Sequence, residues 1–426
     1  MELRDDGTSP KRDLALATWG LFVGLAFLLL AAGLFGTLLG VRSELIHLPT
    51  AVSSLISASY YLGFLVGSRV ALSALGKVGH IRVYSALASL LSAAMLAVGL
   101  TQSAPAWALL RFVTGLCLAG QYVVAESWLN NLATNENRGR LLAIYAVVTS
   151  GAFGLGQVLL FRMDARTITG FAIASIVTSL AVAPVALSEE AVAPDVTERE
   201  HISLRDLAKV VPTGVGSCLL VGVAHGALTG MAAIYATRVG LSTGRIGLFV
   251  AAPNIGGMLL HWPVAATSDD IDRRAVGLVA SIGAIGAAVL LLLGPSTSPM
   301  ALLLIAILGG CSYPLYSIAA AYTNDWIEPE QVNAAASQLV TLYGLGAVIG
   351  PFVAAGMMIT VGPKGYFWAA IILHSLLATF FIYRMKVFRS PLAKRPWSEV
   401  SLPARAFFVP ATVVAMGRRY RRKRAG

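Results

Sequence analysis

One predicted helix carries an unusual run of chemistry. Arg111, Gly115, Ala119, Tyr122 and Glu126 are spaced four, four, three and four residues apart, so they share one helical face. Arg111 and Glu126 are 15 residues apart, about 22 Å at roughly 1.5 Å per residue, so they cannot pair with each other. Arg111 reads as a group that binds an anion or keeps a cavity hydrated; otherwise it pairs with backbone carbonyls or snorkels outward. Glu126 reads as a gate partner for a base such as Arg69 or Lys77, or as a helix-end acid reaching water. His225, with Thr229 four residues on, could hydrogen-bond a solute or carry a proton, or be a core His satisfied by a neighbour. Gly309, Tyr313, Tyr316 and Ala320 form a comparable face whose polar-tipped rings suit a cavity wall or ordinary packing. His374 sits among Ile371, Ile372, Leu373, Leu376 and Leu377, which read as lipid-facing, and His261 lies near a helix end, where a gate would be.

The elements that hold these residues follow from composition. The chain is 57% hydrophobic and 12% charged, far from a soluble domain, which is about a quarter charged. Apolar runs long enough to cross a bilayer recur at 14–40, 50–72, 82–101, 105–129, 141–161, 167–187, 211–236, 245–265, 276–294, 299–322, 334–360 and 366–385. Backbone in lipid must satisfy its own hydrogen bonds, so these are twelve helices and the fold class is an all-α membrane protein. The ionisable groups above lie within them, where charge is costly and functional by default.

The net charge of +11 resides in the tail. From Arg384 onward there are 12 Lys or Arg against Glu399, and the rest of the chain is neutral. A basic tail where the last helix ends reads as attraction to anionic lipid headgroups, and no folded nucleic-acid module is present to use it. Its apolar stretch 406–416 suits a membrane surface. Bases in the short loops (Lys11, Lys77, Arg82, Arg138, Arg140, Arg273, Arg274) share the tail's side, which predicts cytoplasmic termini in the plasma (inner) membrane. Residues 1–13 are too polar for a signal peptide. Cys117, Cys218 and Cys311 all fall inside predicted helices, so no disulfide framework is implied.

A self-comparison at an offset of 194 aligns Gly63 with Gly257, Gly115 with Gly309, Cys117 with Cys311, Asn130 with Asn324 and Gly156 with Gly350, without a gap. The chain is therefore built twice: 14–187 and 211–387 are six-helix bundles in parallel orientation, joined by a charged linker, 188–210, and flanked by 1–13 and 388–426. Small-residue stripes (Ser59, Gly63, Gly67; Gly344, Gly346, Gly350) let helices approach closely. Thr149, Ser150, Gln157, Asn254, Gln338 and Thr341 are further polar residues available to a cavity.

Several motifs make the reading specific. Asp269, Asp272, Arg273 and Arg274 follow the eighth helix in a pattern similar to the Asp-Arg-x-Gly-Arg-Arg loop of the major facilitator superfamily, with Asp270 where Arg is usual. The first-half copy keeps Lys77 and Gly79 but has Gly76 in place of Asp. Arg111–x3–Gly115–x3–Ala119–Gly120 resembles the superfamily's helix-four motif, and Glu126–Ser127–Trp128–Leu129 with Asn137–Arg138–Gly139–Arg140 resembles one bacterial branch of it, as do Tyr343–Gly344–x–Gly346 and Gly350–Pro351. The resemblance implies two bundles rocking about a central site. It also implies a cytoplasmic gate whose charges (Glu126, Arg69, Lys77, Arg138, Asp269, Asp272, Arg273, Arg274) latch one conformation.

The expectation is a secondary active transporter, not an enzyme: His and Cys are scattered singly, with no metal, cofactor or nucleophile cluster. No Asp or Glu lies mid-helix, whereas Arg111 and His225 do, which favours a small neutral or anionic solute over a cation. The solute site is expected at Arg111, Tyr122, His225, Tyr313 and Tyr316. Proton coupling, implied by the resemblance, would have to use His225 or Glu126, or be absent. A transport-inactive sensor or scaffold with a lipid- or partner-binding tail is the alternative.

Overall fold

The computed structural model describes residues 10–133, 137–188, 202–328 and 331–387. The basic tail, linker residues 189–201 and the side chain of Arg138 lie outside the described residues.

Twelve helices are long and apolar enough to span a membrane. They are α1 Pro10–Leu45, α2 Thr50–Val78, α3 His80–Leu100, α4 Ala104–Leu132 and α5 Arg138–Val158, which ends in a 3₁₀ turn. Helix α6 runs Thr169–Leu180 and continues as Val182–Ala186. The second set is α7 Pro212–Arg238, α8 Thr243–Asp270, α9 Arg273–Leu293, α10 Pro299–Asn324, α11 Val332–Val361 and α12 Gly365–Val387. Between the sets, Ser203 caps a short helix, Leu204–Val210, by accepting from the Asp206 amide. The Ser203 hydroxyl, and then Lys209, holds the exposed Asp206 carboxyl below its usual range.

Helix α10 departs from the sequence expectation of one continuous span. It breaks at Tyr313 into Pro299–Ser312 and Pro314–Asn324, because Pro314 has no N–H to continue the ladder. Proline does not interrupt α8 (Pro253, Pro263) or α11 (Pro351).

The repeat reappears as equivalent packing. In the first set α2 packs on α4, α1 on α5 and α3 on α6; in the second α8 packs on α10, α7 on α11 and α9 on α12. A methyl added at Gly115 would overlap the Tyr60 carbonyl oxygen of α2; at its mate Gly309 it would overlap Pro253 of α8. Likewise Gly156 lies against Leu30 of α1, and Gly350 against Ala227 of α7. Lipid tails are as apolar as leucine, so association rests on such close approach and its dispersion contacts.

The sets meet along α2–α11, α1–α7 and α5–α8. An even number of spans puts both chain ends on one face, here called the terminal face; the opposite, distal face carries the 46–49 loop. At the distal ends, Gly40 abuts Ala233 and Gly247 abuts Gln157 and Val158. The Ser57 hydroxyl donates to the Gly230 carbonyl at 2.9 Å, so the two sets are closed together on that face.

Candidate functional site

Directly beneath this closure, between the two sets, lies a cavity of about 100 Å³, room for several waters or a small solute. Its walls come from the distal halves of α1, α2, α5, α7 and α8, with Arg111 and Leu118 from α4 and Tyr313 at the α10 break. Besides Ser57, two side chain–side chain contacts among the described residues cross from one set to the other in its lining. Tyr61 and Thr229 share a hydroxyl–hydroxyl hydrogen bond, and Asn254 donates through Nδ2 to Gln157 Oε1 at 3.0 Å.

Arg111 supplies the one formal charge among the described lining residues. Its guanidinium carbon lies 4.4 Å from the Tyr60 ring centroid and 5.6 Å from that of Phe35, held between rings of α2 and α1. The close α2–α4 approach at Gly63 and Gly115 brings Tyr60 within reach. Stacking on a ring face supports the guanidinium while leaving its N–H edge free to donate in its own plane.

Of the other expected site residues, only Tyr313 lines the cavity. Tyr122 is outside the lining, packed 6.1 Å from the Phe64 ring. His225 is buried within the second set. Its Nδ1 lies 3.0 Å from the Tyr343 hydroxyl and its Nε2 3.0 Å from the Ser312 carbonyl. A carbonyl only accepts, so Nε2 carries the proton and Nδ1 accepts from Tyr343. Tyr316 is buried at 5.2 Å from the Tyr343 ring, on the same inner cluster. Tyr313 keeps helical backbone angles, φ −65° and ψ −34°, so Tyr316 stays on its face but lies nearly one turn nearer the terminal face, beyond the cavity lining. Of the polar residues offered by the sequence, Gln157 and Asn254 reach the cavity, while Thr149, Ser150, Gln338 and Thr341 are outside its lining.

His374 is fully buried along with Leu373 and Leu377, while Ile372 and Leu376 are exposed as the lipid-facing reading expects, so His374 sits on the inner face of that helix. It donates to the Ala370 carbonyl at 2.8 Å and accepts from the Ser312 hydroxyl at 2.9 Å. Ser312 thus ties two histidines to the α10 break. His261 bonds Ser317 at 2.8 Å inside the second set.

The expected gate charges are distributed differently from a single cluster. Arg273 donates to Asp325 at 2.7 Å, with both side chains almost wholly buried, and to Ser268 and Asp269 at 2.9 and 3.3 Å. Arg274 pairs with Asp272 at 2.7 Å and donates to the Arg384 carbonyl. These partners lie in or directly beside α8, α9, α10 and α12, so in this conformation these contacts brace the second set internally. Arg69 reaches across instead, donating to Thr341 of α11 at 3.3 Å. Glu126 lies within electrostatic reach of Tyr122 and Tyr316, and Lys77 is exposed. No group of three or more His, Cys, Asp or Glu suited to a metal occurs among the described residues.

The profile of the Major Facilitator Superfamily matches residues 21–309 and, again, 215–423. The chain belongs to the major facilitator superfamily. It is similar to the MFS-type transporter YcaD of Escherichia fergusonii, 28% identical over 342 residues that cover 79% of this chain and 88% of that protein. YcaD of Salmonella arizonae is 29% identical over 346 residues, with the same coverage. Among solved structures, a variant of the nucleoside transporter NupG superposes with a TM-score of 0.71 at 11% identity, covering 88% of this chain and all of that one. A bacterial homologue of the human lysosomal transporter Spinster, inward-facing and occupied, gives 0.69 at 15% identity, covering 90% and 98%. At such identities the likeness is one of fold. This facilitator is therefore an integral, multi-pass membrane transporter and not an enzyme.

Sequence reasoning missed several residues of the facilitator's cavity and seam. Tyr60 and Tyr61 carried a signal, an aromatic doublet in an apolar helix ten and eleven residues below the distal end of α2. Asp325 carried a weak one, its repeat mate being Asn131 beside the matched Asn130. Glu44 and Arg238 are paired across the distal face, Nε to Oε2 at 3.0 Å and Nη2 to Oε1 at 2.5 Å. Their separation is the repeat offset itself.

Proposed function

We propose that this protein is a secondary active carrier that moves a small neutral or anionic solute by alternating access, driven by protons. The observation that carries the reading is Arg111, the one charge among the described residues around a cavity that lies at the seam and is closed on one face. A cation carrier would place a carboxylate there. The basic short loops and tail support cytoplasmic termini. On that reading the conformation is closed outward, as in the inward-facing Spinster homologue it resembles. The moving bodies are 14–187 and 211–387, and the basic tail 388–426 rests on anionic headgroups.

The test is uptake into proteoliposomes with and without a pH gradient. Accumulation that follows the gradient supports coupling; a gradient that changes neither rate nor extent removes it. Uptake that survives deletion of 390–426 favours the carrier over a scaffold, and Arg111→Ala is expected to lower uptake more than substitutions at neighbouring positions of α4.

A further inference from the structure

We propose that the carried solute is a monoanion whose charge rests on Arg111, an assignment that depends on the carrier reading above. The comparison that decides is with the other arginines of the described spans that are buried or half-buried. Arg42 donates to the Ala165 carbonyl, Arg384 to Thr213, and Arg238, Arg273 and Arg274 to carboxylates. Arg111 alone among these makes ring contacts and no hydrogen bond or ion pair within the described residues. Arg111 lines the cavity, and a cation at membrane depth without a counter-charge is costly. One negative charge neutralises it, a second overshoots, and a cation is repelled. The planar fork matches a carboxylate, and the Tyr60 and Phe35 rings beside it suit a planar solute.

The experiment is a thermal-shift titration of the full chain with benzoate, benzamide, benzamidinium and phthalate, on wild type, Arg111→Lys and Arg111→Gln. Benzoate is expected to stabilise the wild type, with the amide, amidinium and dianion weaker by about thirty-fold or more, the scale of losing one partner of a desolvated charge pair. Arg111→Gln should erase that preference, and Arg111→Lys keep its sign. No response to benzoate, equal binding of the amide, or a preference that survives Arg111→Gln overturns the assignment. Benzoate that binds through Arg111 but is never taken up by proteoliposomes overturns the carrier reading instead and leaves the anion site standing.

A second observation stands independently. Glu44 and Arg238 are separated by 194 residues, the repeat offset. Positions related by the two-fold arrangement of the halves can touch only close to its axis, so this pair marks the axis at the distal mouth, above the cavity. Arg238 also donates to Thr50 at 3.0 Å, so one side chain of the second set holds α1 and α2 of the first. With identical residues at the two positions, like charges would meet there and repel. The duplicated chain instead holds Glu in one and Arg in the other. We infer that this pair is the latch of the distal mouth and that opening requires its rupture.

The test places spin labels at His47→Cys and Ser242→Cys, both exposed, with Cys117, Cys218 and Cys311 replaced by Ala, and reads the distance distribution across the mouth. Glu44→Gln or Arg238→Gln should raise the open population about fivefold, the scale of a partly exposed pair. The swap Glu44→Arg with Arg238→Glu should return it toward the starting value. Single variants that leave the distribution unchanged, or a swap that stays as open as the singles, overturn the latch.

Discussion

Replacing Asp325 by Asn tests whether the buried charges of the second set are structural braces. Arg273 and Asp325 are 1% and 0% exposed, and the guanidinium reaches the carboxylate through Nε at 2.7 Å and Nη2 at 3.3 Å. Breaking such a pair leaves one charge buried without its counter-ion, which costs about 3–5 kcal/mol. Here Arg273 retains Ser268 at 2.9 Å and Asp269 at 3.3 Å, the latter 28% exposed and therefore a partial substitute. The expected loss for Asp325→Asn is accordingly at or just below the bottom of that range, about 2–3 kcal/mol. Asp269→Asn removes only the longer, more exposed partner and should cost at most about 1 kcal/mol. Arg273→Met with Asp325→Leu removes both charges and fills their space, and should recover to within about 1 kcal/mol of wild type. Equilibrium unfolding in mixed micelles, followed by tryptophan fluorescence, gives all three values. If Asp325→Asn is no worse than Asp269→Asn, the brace is not carrying stability. If the apolar double variant is stable but transport-dead, the pair serves the gate after all.

Three further outcomes are expected. Gly115→Ala and Gly309→Ala should each destabilise by about 1–3 kcal/mol in the same unfolding assay, because the new methyl overlaps Tyr60 or Pro253 backbone, whereas Gly151→Ala, with open space around it, should change little. Tyr343→Phe takes the hydroxyl from His225 Nδ1 and should cost about 1–3 kcal/mol, the penalty of a buried acceptor left unmet. His225→Gln should lower stability but leave the response of uptake to a pH gradient intact, since both ring nitrogens are already engaged by Tyr343 and Ser312; loss of that response with uptake preserved would make His225 the proton carrier.

The spans were legible because their signal is additive: a run of apolar residues reads as a helix whatever its neighbours do. The repeat was legible for a related reason. Glycines such as Gly115 and Gly309 are needed where two backbones meet, and a duplicated scaffold needs them twice. Arg111 was legible because charge inside an apolar run is costly enough to stand out. The aromatic wall was not. Tyr313 and Tyr316 do share a face, but only Tyr313 reaches the cavity; Tyr316 packs on Tyr343, and which of two neighbours on a face meets the cavity depends on the helices opposite. Asp325 was hidden for another reason. It lies three residues past the predicted span end at 322, where an acid reads as solvated, and its partner is 52 residues away.

The two halves differ most where they hold their charges. Shifted by 194, Arg273 and Asp325 of the second set fall on Gly79 and Asn131 of the first, and Arg274 falls on His80. There His80 bonds Ser127 at 3.0 Å, a neutral contact where the second set has ion pairs. Neutral hydrogen bonds across membrane helices are weak, and a buried ion pair broken on one side is expensive. Among the described residues, the terminal face of the second set is held by buried ion pairs, and any movement between α9 and the end of α10 must break Arg273–Asp325. Arg111 lies in the other half, on α4, which packs closely on α2 at Gly63 and Gly115. A solute anion that draws Arg111 toward it therefore displaces α4 together with α2, and α2 carries that movement to α11 across the seam.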